Sequence, residues 1–179
     1  RVALADGWGG SMVATEIADI LFGTPSPVAI ETNMGVLKED QVNIIVHGHE
    51  PNLFESMVAS VAEPTLIQAA KDAGAKGLNL VGMCCSGLEM FSRHGTPHAG
   101  NFMSTETVLV TGAVDAMVVD VQCIKQALAQ VAECYKTQLI TTNPRARIEG
   151  AKHIEFHEDT PKECTDEIVI QAIGRFKNR

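Results

Sequence analysis

Four short apolar segments alternate with longer helical segments along this chain, and the alternation restricts the fold more than any other feature. The apolar segments are residues 42–46, 78–82, 116–120 and 138–141. Their length and β-branched content predict buried strands. Strands that alternate with helices are typical of βαβ units, whose right-handed crossovers place helices on both faces of a parallel sheet. We therefore predict an α/β fold, a three-layer Rossmann-like open parallel sheet with helices on both faces.

The segments between the strands complete this pattern. Helical spacing predicts helices at residues 6–22, 53–73, 86–93, 104–112, 124–134 and 161–177, with a weak fifth strand at 154–156. Pro64 marks a kink or a helix restart, and residues 95–100 are predicted to be a loop. The pattern has no internal repeat or break in composition. Residues 1–179 are therefore predicted to form a single domain.

Length and charge exclude several classes of protein. The chain has 179 residues, enough for one domain with a core of its own. Its 14 basic and 22 acidic residues give a net charge of −8, which argues against a nucleic-acid-binding or polybasic membrane-binding surface. No apolar segment is long enough to span a bilayer. The chain begins at Arg1 without a signal-peptide pattern, so we expect a piece of a longer chain.

The five cysteines do not form a disulfide framework. Their number is odd, and no secretory signal precedes them. Free thiols indicate a reducing compartment, so a cytoplasmic protein is expected. Cys134 in a helix and Cys164 in the first turn of the last helix are predicted to be structural, with Cys134 on an apolar face.

A possible metal site follows from the strand ends. Ligands of open parallel sheets bind beyond the carboxyl ends of the strands. His49, Cys85 and Cys123 each lie three residues after a predicted strand, so we expect them at one edge of the sheet. Thiolate and imidazole ligands suit iron–sulfur, zinc or nickel chemistry. Spacing alone does not choose between His47 and His49, or between Cys84 and Cys85.

Four contiguous stretches carry a resemblance to a known family. They are VNIIVHGHEP at 42–51, GMCCSG at 82–87, AGNF at 99–102 and TGAVDAMVVDVQC at 111–123. These stretches closely resemble the anaerobic nickel-containing carbon monoxide dehydrogenases. The likeness extends over nearly the whole chain. It implies the first of two Rossmann-like domains, excised from the middle of a longer multidomain catalytic subunit.

The resemblance implies a partial ligand set for a Ni-Fe-S cluster, the C-cluster, which has one histidine and five cysteine ligands. It assigns the histidine to His49 and two of the cysteines to Cys85 and Cys123, with Cys84 beside the site as a transient ligand. The remaining ligands, and the cysteines of additional 4Fe-4S clusters, lie elsewhere in the full chain. The implied reaction oxidises CO with water to CO2, two electrons and two protons.

The same resemblance implies partners. They are the remaining domains of the chain, a second copy in a homodimer and a ferredoxin-like electron acceptor. It leaves open whether an acetyl-CoA synthase partner is present. We expect no nucleic-acid partner and no membrane-spanning segment. The 179 residues alone are expected to be inactive. Glu50 is the candidate acceptor for the second imidazole nitrogen of His49.

Three alternatives remain at this point. A hybrid-cluster or hydroxylamine reductase domain shares the fold but uses a Glu near the second strand, where this chain has Cys84 and Cys85. A metal-free α/β scaffold or binding domain would bury its cysteines in the core, with the side chains of His49, Cys85 and Cys123 pointing apart or into the sheet. A His-x-His hydrolase would need His47 and His49 to face one point together with a carboxylate ligand.

Overall fold

The computed structural model describes all 179 residues and has a six-stranded sheet in which every neighbouring pair of strands is parallel. The spatial order is β3-β2-β1-β4-β5-β6. This confirms the predicted α/β class. The strands are β1 Val42–His47, β2 Leu78–Met83, β3 His98–Gly100, β4 Ala116–Val119, β5 Gln138–Thr141 and β6 Lys152–His153.

Seven α-helices accompany the sheet. They are α1 Val2–Phe22, α2 Pro51–Val61, α3 Pro64–Asp72, α4 Cys84–His94, α5 Thr105–Val110, α6 Leu128–Cys134 and α7 Pro161–Phe176. Three short 3-10 turns lie at Met34–Val36, Phe102–Ser104 and Pro144–Ala146. No helix has both the length and the apolar character needed to cross a membrane.

The core consists of two apolar layers, one on each face of the sheet. Ile44 and Val46 pack into the layer formed with α2, α3, α4 and α7. Ile45 points to the opposite face and packs with residues of α5 and α6. Since successive side chains of a strand alternate between faces, β1 needs apolar residues at nearly every position to be buried on both sides.

Some predicted boundaries were wrong. Residues 98–100, predicted as loop, form β3, which pairs with β2 through Gly82 and His98. The sequence did not predict this strand because three residues without an aliphatic run are too few to show the alternation typical of a strand. The last strand is Lys152–His153 and not 154–156, although the backbone N–H groups of Ile154 and Phe156 still donate to the carbonyl oxygens of Thr141 and Thr142 beside it. Pro64 restarts the helix, so residues 53–73 contain two helices.

The register of the central strands aligns their carboxyl ends. His47, the last residue of β1, lies opposite Met83 of β2 and Val119 of β4. The segments that follow these three strands therefore leave the sheet at the same level. We call this side of the sheet, where the strands end, the carboxyl edge.

The junction between β2 and α4 depends on two glycines in backbone contact. A Cβ atom on Gly82 would lie 2.3 Å from the Cα atom of Gly87. A Cβ atom on Gly87 would lie 2.6 Å from the Cδ2 atom of His98. Only residues without a Cβ allow α4 to begin so close to the strand before it.

We expect Gly82→Ala to lower the free energy of unfolding by about 3 kcal/mol or more, because backbone atoms cannot move aside as a side chain can. Gly174→Ala is the control, since it lies in α7 with open space around it. There, alanine should leave stability unchanged or raise it by up to about 1 kcal/mol. Urea unfolding measures the free energy of unfolding of both variants. Equal effects of the two substitutions would contradict the proposed backbone contact.

A buried carboxylate lies at the opposite end of β4. Asp115 accepts hydrogen bonds from the backbone N–H of Asn43 at 2.8 Å and from Nη1 of Arg179 at 3.2 Å. Its Oδ1 atom has no partner. Burial disfavours the charged form and raises the pKa of Asp115 from 3.8 to about 6.

This shift makes stability depend on pH. Between pH 4 and 6 the folded chain keeps a proton that the unfolded chain releases, so Asp115 lowers stability as pH rises. Asp115→Asn removes this contribution. Relative to that of the native chain, the free energy of unfolding of the variant should rise by about 3 kcal/mol between pH 3.5 and 7. Urea unfolding across this range tests the effect, and parallel stability curves would contradict it.

Helix α1 lies apart from both apolar layers. Only Ala18 among its residues is buried. Its contact with the rest of the domain includes Arg93, which binds Asp19 at 3.3 Å and the carbonyl oxygen of Gly23 at 3.1 Å. Large apolar side chains of α1 remain exposed: Val2, Leu4, Trp8, Met12, Val13, Ile17, Ile20 and Leu21. The helix therefore presents an apolar surface that the domain itself does not cover.

Candidate metal centre

Three soft or borderline ligands meet at the carboxyl edge. His47 ends β1, Cys84 begins α4, and Cys123 lies in the segment after β4. One nitrogen or sulfur atom of each residue lies within 4.8 Å of those of the other two. We call His47, Cys84 and Cys123 the inner group. Two thiols and one imidazole at this separation form a ligand set that suits zinc, nickel or iron–sulfur chemistry.

The imidazole of His47 is poised to be a ligand. The residue is fully buried, and neither ring nitrogen forms a hydrogen bond of good geometry, although a backbone group of Cys123 lies close enough to oppose the effect of burial. Burial lowers the pKa of His47 to about 4, so the ring is neutral at pH 7 and has a free lone pair. Buried polar groups without partners are rare in proteins. A metal or cluster at this position would supply the missing partner.

Both cysteines of the inner group have an unusual backbone conformation. The φ angle is +56° at Cys84 and +51° at Cys123. This left-handed region costs residues with a Cβ about 1–2 kcal/mol. Such conformations cluster at functional sites, where the surrounding structure holds them in place. Four non-glycine residues have a positive φ angle, and both cysteines that meet His47 are among them, with Gln122 and Lys136.

Both inner thiols hold their protons in the metal-free chain. Burial, followed by the neighbouring Cys123, raises the pKa of Cys84 to about 12. Burial also raises the pKa of Cys123. Since thiolates are the metal-binding form, a metal ion that enters the inner group must displace these protons.

The site residues predicted from the sequence lie at two different depths below the protein surface. Cys123 belongs to the inner group, but its partners there are His47 and Cys84. His49 and Cys85 are exposed at the same edge, and we call them the outer pair. His49 lines a groove of about 420 Å³ between α1 and the carboxyl edge, together with Glu89 and Gln122. The sequence left the choice within each His and Cys pair open, because burial depth depends on backbone geometry that spacing does not encode.

One functional residue was missed. Asp120 is fully buried directly behind the site. Its Oδ1 atom accepts hydrogen bonds from the backbone N–H groups of His49, at 2.6 Å, and Val121. Its Oδ2 atom accepts one from the Ser86 hydroxyl at 3.0 Å. Burial raises the pKa of Asp120 to about 7. The only signal in the sequence is an acidic residue at the end of an apolar strand.

Other expectations about single residues had mixed outcomes. No hydrogen bond joins Glu50 to the His49 ring. The backbone N–H of His49 donates to Asp120. Cys164 is buried in the core as predicted. The prediction that Cys134 packs on an apolar face was wrong, because α6 ends at this residue and leaves it exposed.

Comparison with known proteins identifies the family. The Prismane/CO dehydrogenase family matches residues 1–179, so the chain belongs to this family. It is 52% identical to carbon monoxide dehydrogenase 1 of Methanosarcina mazei over its whole length, which is 28% of that relative. Over the same extent it is 51% identical to a Ni-free carbon monoxide dehydrogenase from Thermococcus sp. AM4, with a TM-score of 0.95, and spans 28% of that chain.

A third comparison concerns a larger assembly. The chain is 50% identical to part of an acetyl-CoA synthase/carbon monoxide dehydrogenase described with NiZn[Fe4S4] and NiNi[Fe4S4] clusters. The TM-score is 0.93, and the match covers 99% of this chain and 26% of that one. The chain thus spans between a quarter and a third of the length of these relatives.

The geometry bears on two of the alternatives. A metal-free scaffold predicts that the side chains of His49, Cys85 and Cys123 point apart or into the sheet. These three do not form one ligand group, but Cys123 meets His47 and Cys84 in another. A His-x-His hydrolase needs both histidines and a carboxylate at one point. The inner group contains only His47 of the two histidines, and no carboxylate.

Burial predicts the order of cysteine reactivity. In the metal-free chain at pH 8, iodoacetamide should modify exposed Cys85 and Cys134 at least about 10-fold faster than Cys84 and Cys164. The pKa values of Cys84 and Cys164 are raised by burial to about 12 and about 11, so little thiolate is present. Peptide mass spectrometry measures the four rates, with the urea-unfolded chain as control. Equal rates for Cys84 and Cys85 in the folded chain would contradict the assigned burial.

Proposed function

We propose that this chain is the part of a carbon monoxide dehydrogenase that holds one side of its Ni-Fe-S cluster, in an enzyme that oxidises CO with water to CO2. The observation that carries this proposal is the meeting of thiol and imidazole side chains at the carboxyl edge, with the inner group below the surface and the outer pair exposed at the same edge. Its support is the identity of about one half to proteins named carbon monoxide dehydrogenase. When bound, the cluster supplies redox and Lewis-acid chemistry.

We assign His49, Cys85 and Cys123 as the cluster ligands that this chain provides. A cluster of several metal ions is larger than one ion, and a cluster held by Cys123 could reach beyond the inner group. The outer pair lies toward the surface of the same edge, where a large group could contact it. Cys84 and His47 would then lie on the buried side of the site, with Cys84 as a transient ligand. The remaining ligands come from outside these 179 residues.

The chain's own residues also provide charge near the thiols. The Nζ atom of Lys125 binds the carbonyl oxygen of Phe102 at 2.6 Å and a carboxylate oxygen of Glu106 at 2.7 Å. These contacts fix the ammonium group. Its positive charge lowers the pKa of Cys84 and of Cys123, against the larger effect of burial. Lys125 therefore favours the thiolate forms that a cluster requires.

We propose that the rest of the same polypeptide covers the exposed apolar surface of α1. The relatives extend far beyond the matched segment, since it makes up 28% of their length. The groove between α1 and the carboxyl edge is the place where further ligands could approach the outer pair. A homodimer, a ferredoxin-like acceptor, additional 4Fe-4S clusters and an acetyl-CoA synthase partner remain predictions from the resemblance.

The test is to remove single ligands in the complete enzyme. His49→Ala and Cys85→Ala should each lower CO oxidation by more than about 100-fold, because loss of a ligand costs more than the 10–100-fold typical of its supporting residues. Cys134→Ala is the matched control, an exposed cysteine on another element, and should keep full activity. Activity assays and nickel analysis of each purified variant give the result.

Normal activity in either ligand variant would contradict the assignment. A second measurement concerns the 179 residues alone, which should be colourless and inactive. Stoichiometric iron and a brown colour in this isolated chain would show that its own ligands suffice, contrary to the proposal.

A further inference from the structure

Three segments carry all the candidate ligands, and each one contacts the same carboxylate. They are residues 47–49 after β1, 84–86 after β2 and 121–123 after β4, and we call them the ligand segments. Asp120 accepts a hydrogen bond from one residue in each: His49, Ser86 and Val121. No other side chain forms hydrogen bonds with all three ligand segments.

The surrounding backbone is adapted to this carboxylate. Gly48 has a φ angle of +148°, and a Cβ atom at this residue would lie 1.6 Å from the Oδ1 atom of Asp120. A side chain at residue 48 would therefore expel the carboxylate. Direct contacts between the segments add to the arrangement, since the carbonyl oxygen of Gly48 accepts a hydrogen bond from the backbone N–H of Ser86 at 2.8 Å.

We propose that Asp120 is a positioning residue that fixes the three ligand segments relative to one another and so sets the separation of the cluster ligands. The proposal rests on the proposed function for its relation to the cluster, but the hydrogen bonds can be tested without it. Asp120 forms no hydrogen bond with a candidate ligand atom. It acts on His49 through the backbone, on Cys85 through the next residue, and on Cys123 through a residue two positions before it.

The resulting arrangement explains why the acceptor must be charged or strongly polar. Three donors converge on two oxygen atoms in a site without solvent access. An apolar side chain would leave these donors buried without partners, and each unpaired donor costs free energy. The segments would then separate to reach water, and the ligand spacing would change with them.

The first measurement is amide hydrogen exchange on the complete polypeptide purified without metal, followed by mass spectrometry of its peptides. Asp120→Ala should increase exchange in the segments 47–49 and 121–123 at least 10-fold. Asp120→Asn keeps a carbonyl oxygen that accepts both N–H groups, so exchange there should remain within about 2-fold of the native chain. Ser86→Ala, a milder change, should increase exchange only near residue 86.

Asp115→Ala is the matched control. Asp115 is also buried, also accepts a backbone N–H, and lies at the opposite end of β4. We expect a similar loss of thermal stability from Asp115→Ala and Asp120→Ala. Faster exchange in the ligand segments should occur only in Asp120→Ala. Equal exchange in both variants, or an Asp120→Asn chain that behaves like Asp120→Ala, would overturn the proposal.

The second measurement uses the holoenzyme. Asp120→Ala should lower nickel content and the electron paramagnetic resonance signal of the Ni-Fe-S cluster by at least 5-fold, while Asp120→Asn and Asp115→Ala keep both. A full cluster signal in Asp120→Ala would overturn the link to the cluster. If the native enzyme itself contains no such cluster, the proposed function fails, whereas the exchange result on the ligand segments still decides the role of Asp120.

Discussion

The pairing of β1 with β2 on one side and β4 on the other is the constraint on which the rest of the structure depends. His47 lies opposite both Met83 and Val119, so three strands end at one level. A shift of one residue in either register would turn the affected side chains to the opposite face. Because the three strands end at the same level, the segments that follow them meet at one point although they are distant in sequence. The location of the site follows from that alignment.

The sequence predicted the strands of the sheet better than its site. Residues 42–46, 78–82 and 116–120 were recognised because a strand buried on both faces needs a continuous apolar run, and the ends of these segments located the carboxyl edge. His98–Gly100 was missed because three residues held by a single partner strand carry no such signal. Hydrophobic pattern thus identifies long buried strands, and it misses a buried strand of three residues such as this one.

Topology located the candidate site and selected Cys123, but it did not select His47 and Cys84. Adjacent residues such as Cys84 and Cys85 have the same chemistry and differ only in where the backbone points them. That direction depends on the left-handed conformation of Cys84. No residue type in the sequence indicates this conformation. Asp120 is similar, because its importance comes from three partners supplied by separate segments. Both features are properties of the folded chain, and the sequence contains them only as ordinary cysteine and aspartate.

The left-handed backbone at Cys84 and Cys123 has a consequence for how this chain can evolve. Glycine and asparagine adopt this conformation at lower cost than cysteine does. At both residues, intrinsic backbone preference therefore opposes the cysteine side chain that the proposed metal site uses. If metal binding were no longer needed, glycine or asparagine would fit these two backbone positions better than cysteine, whereas buried Cys164 would keep its place in the core. The proposed metal site thus gives a reason for two cysteines at positions where the backbone alone disfavours them.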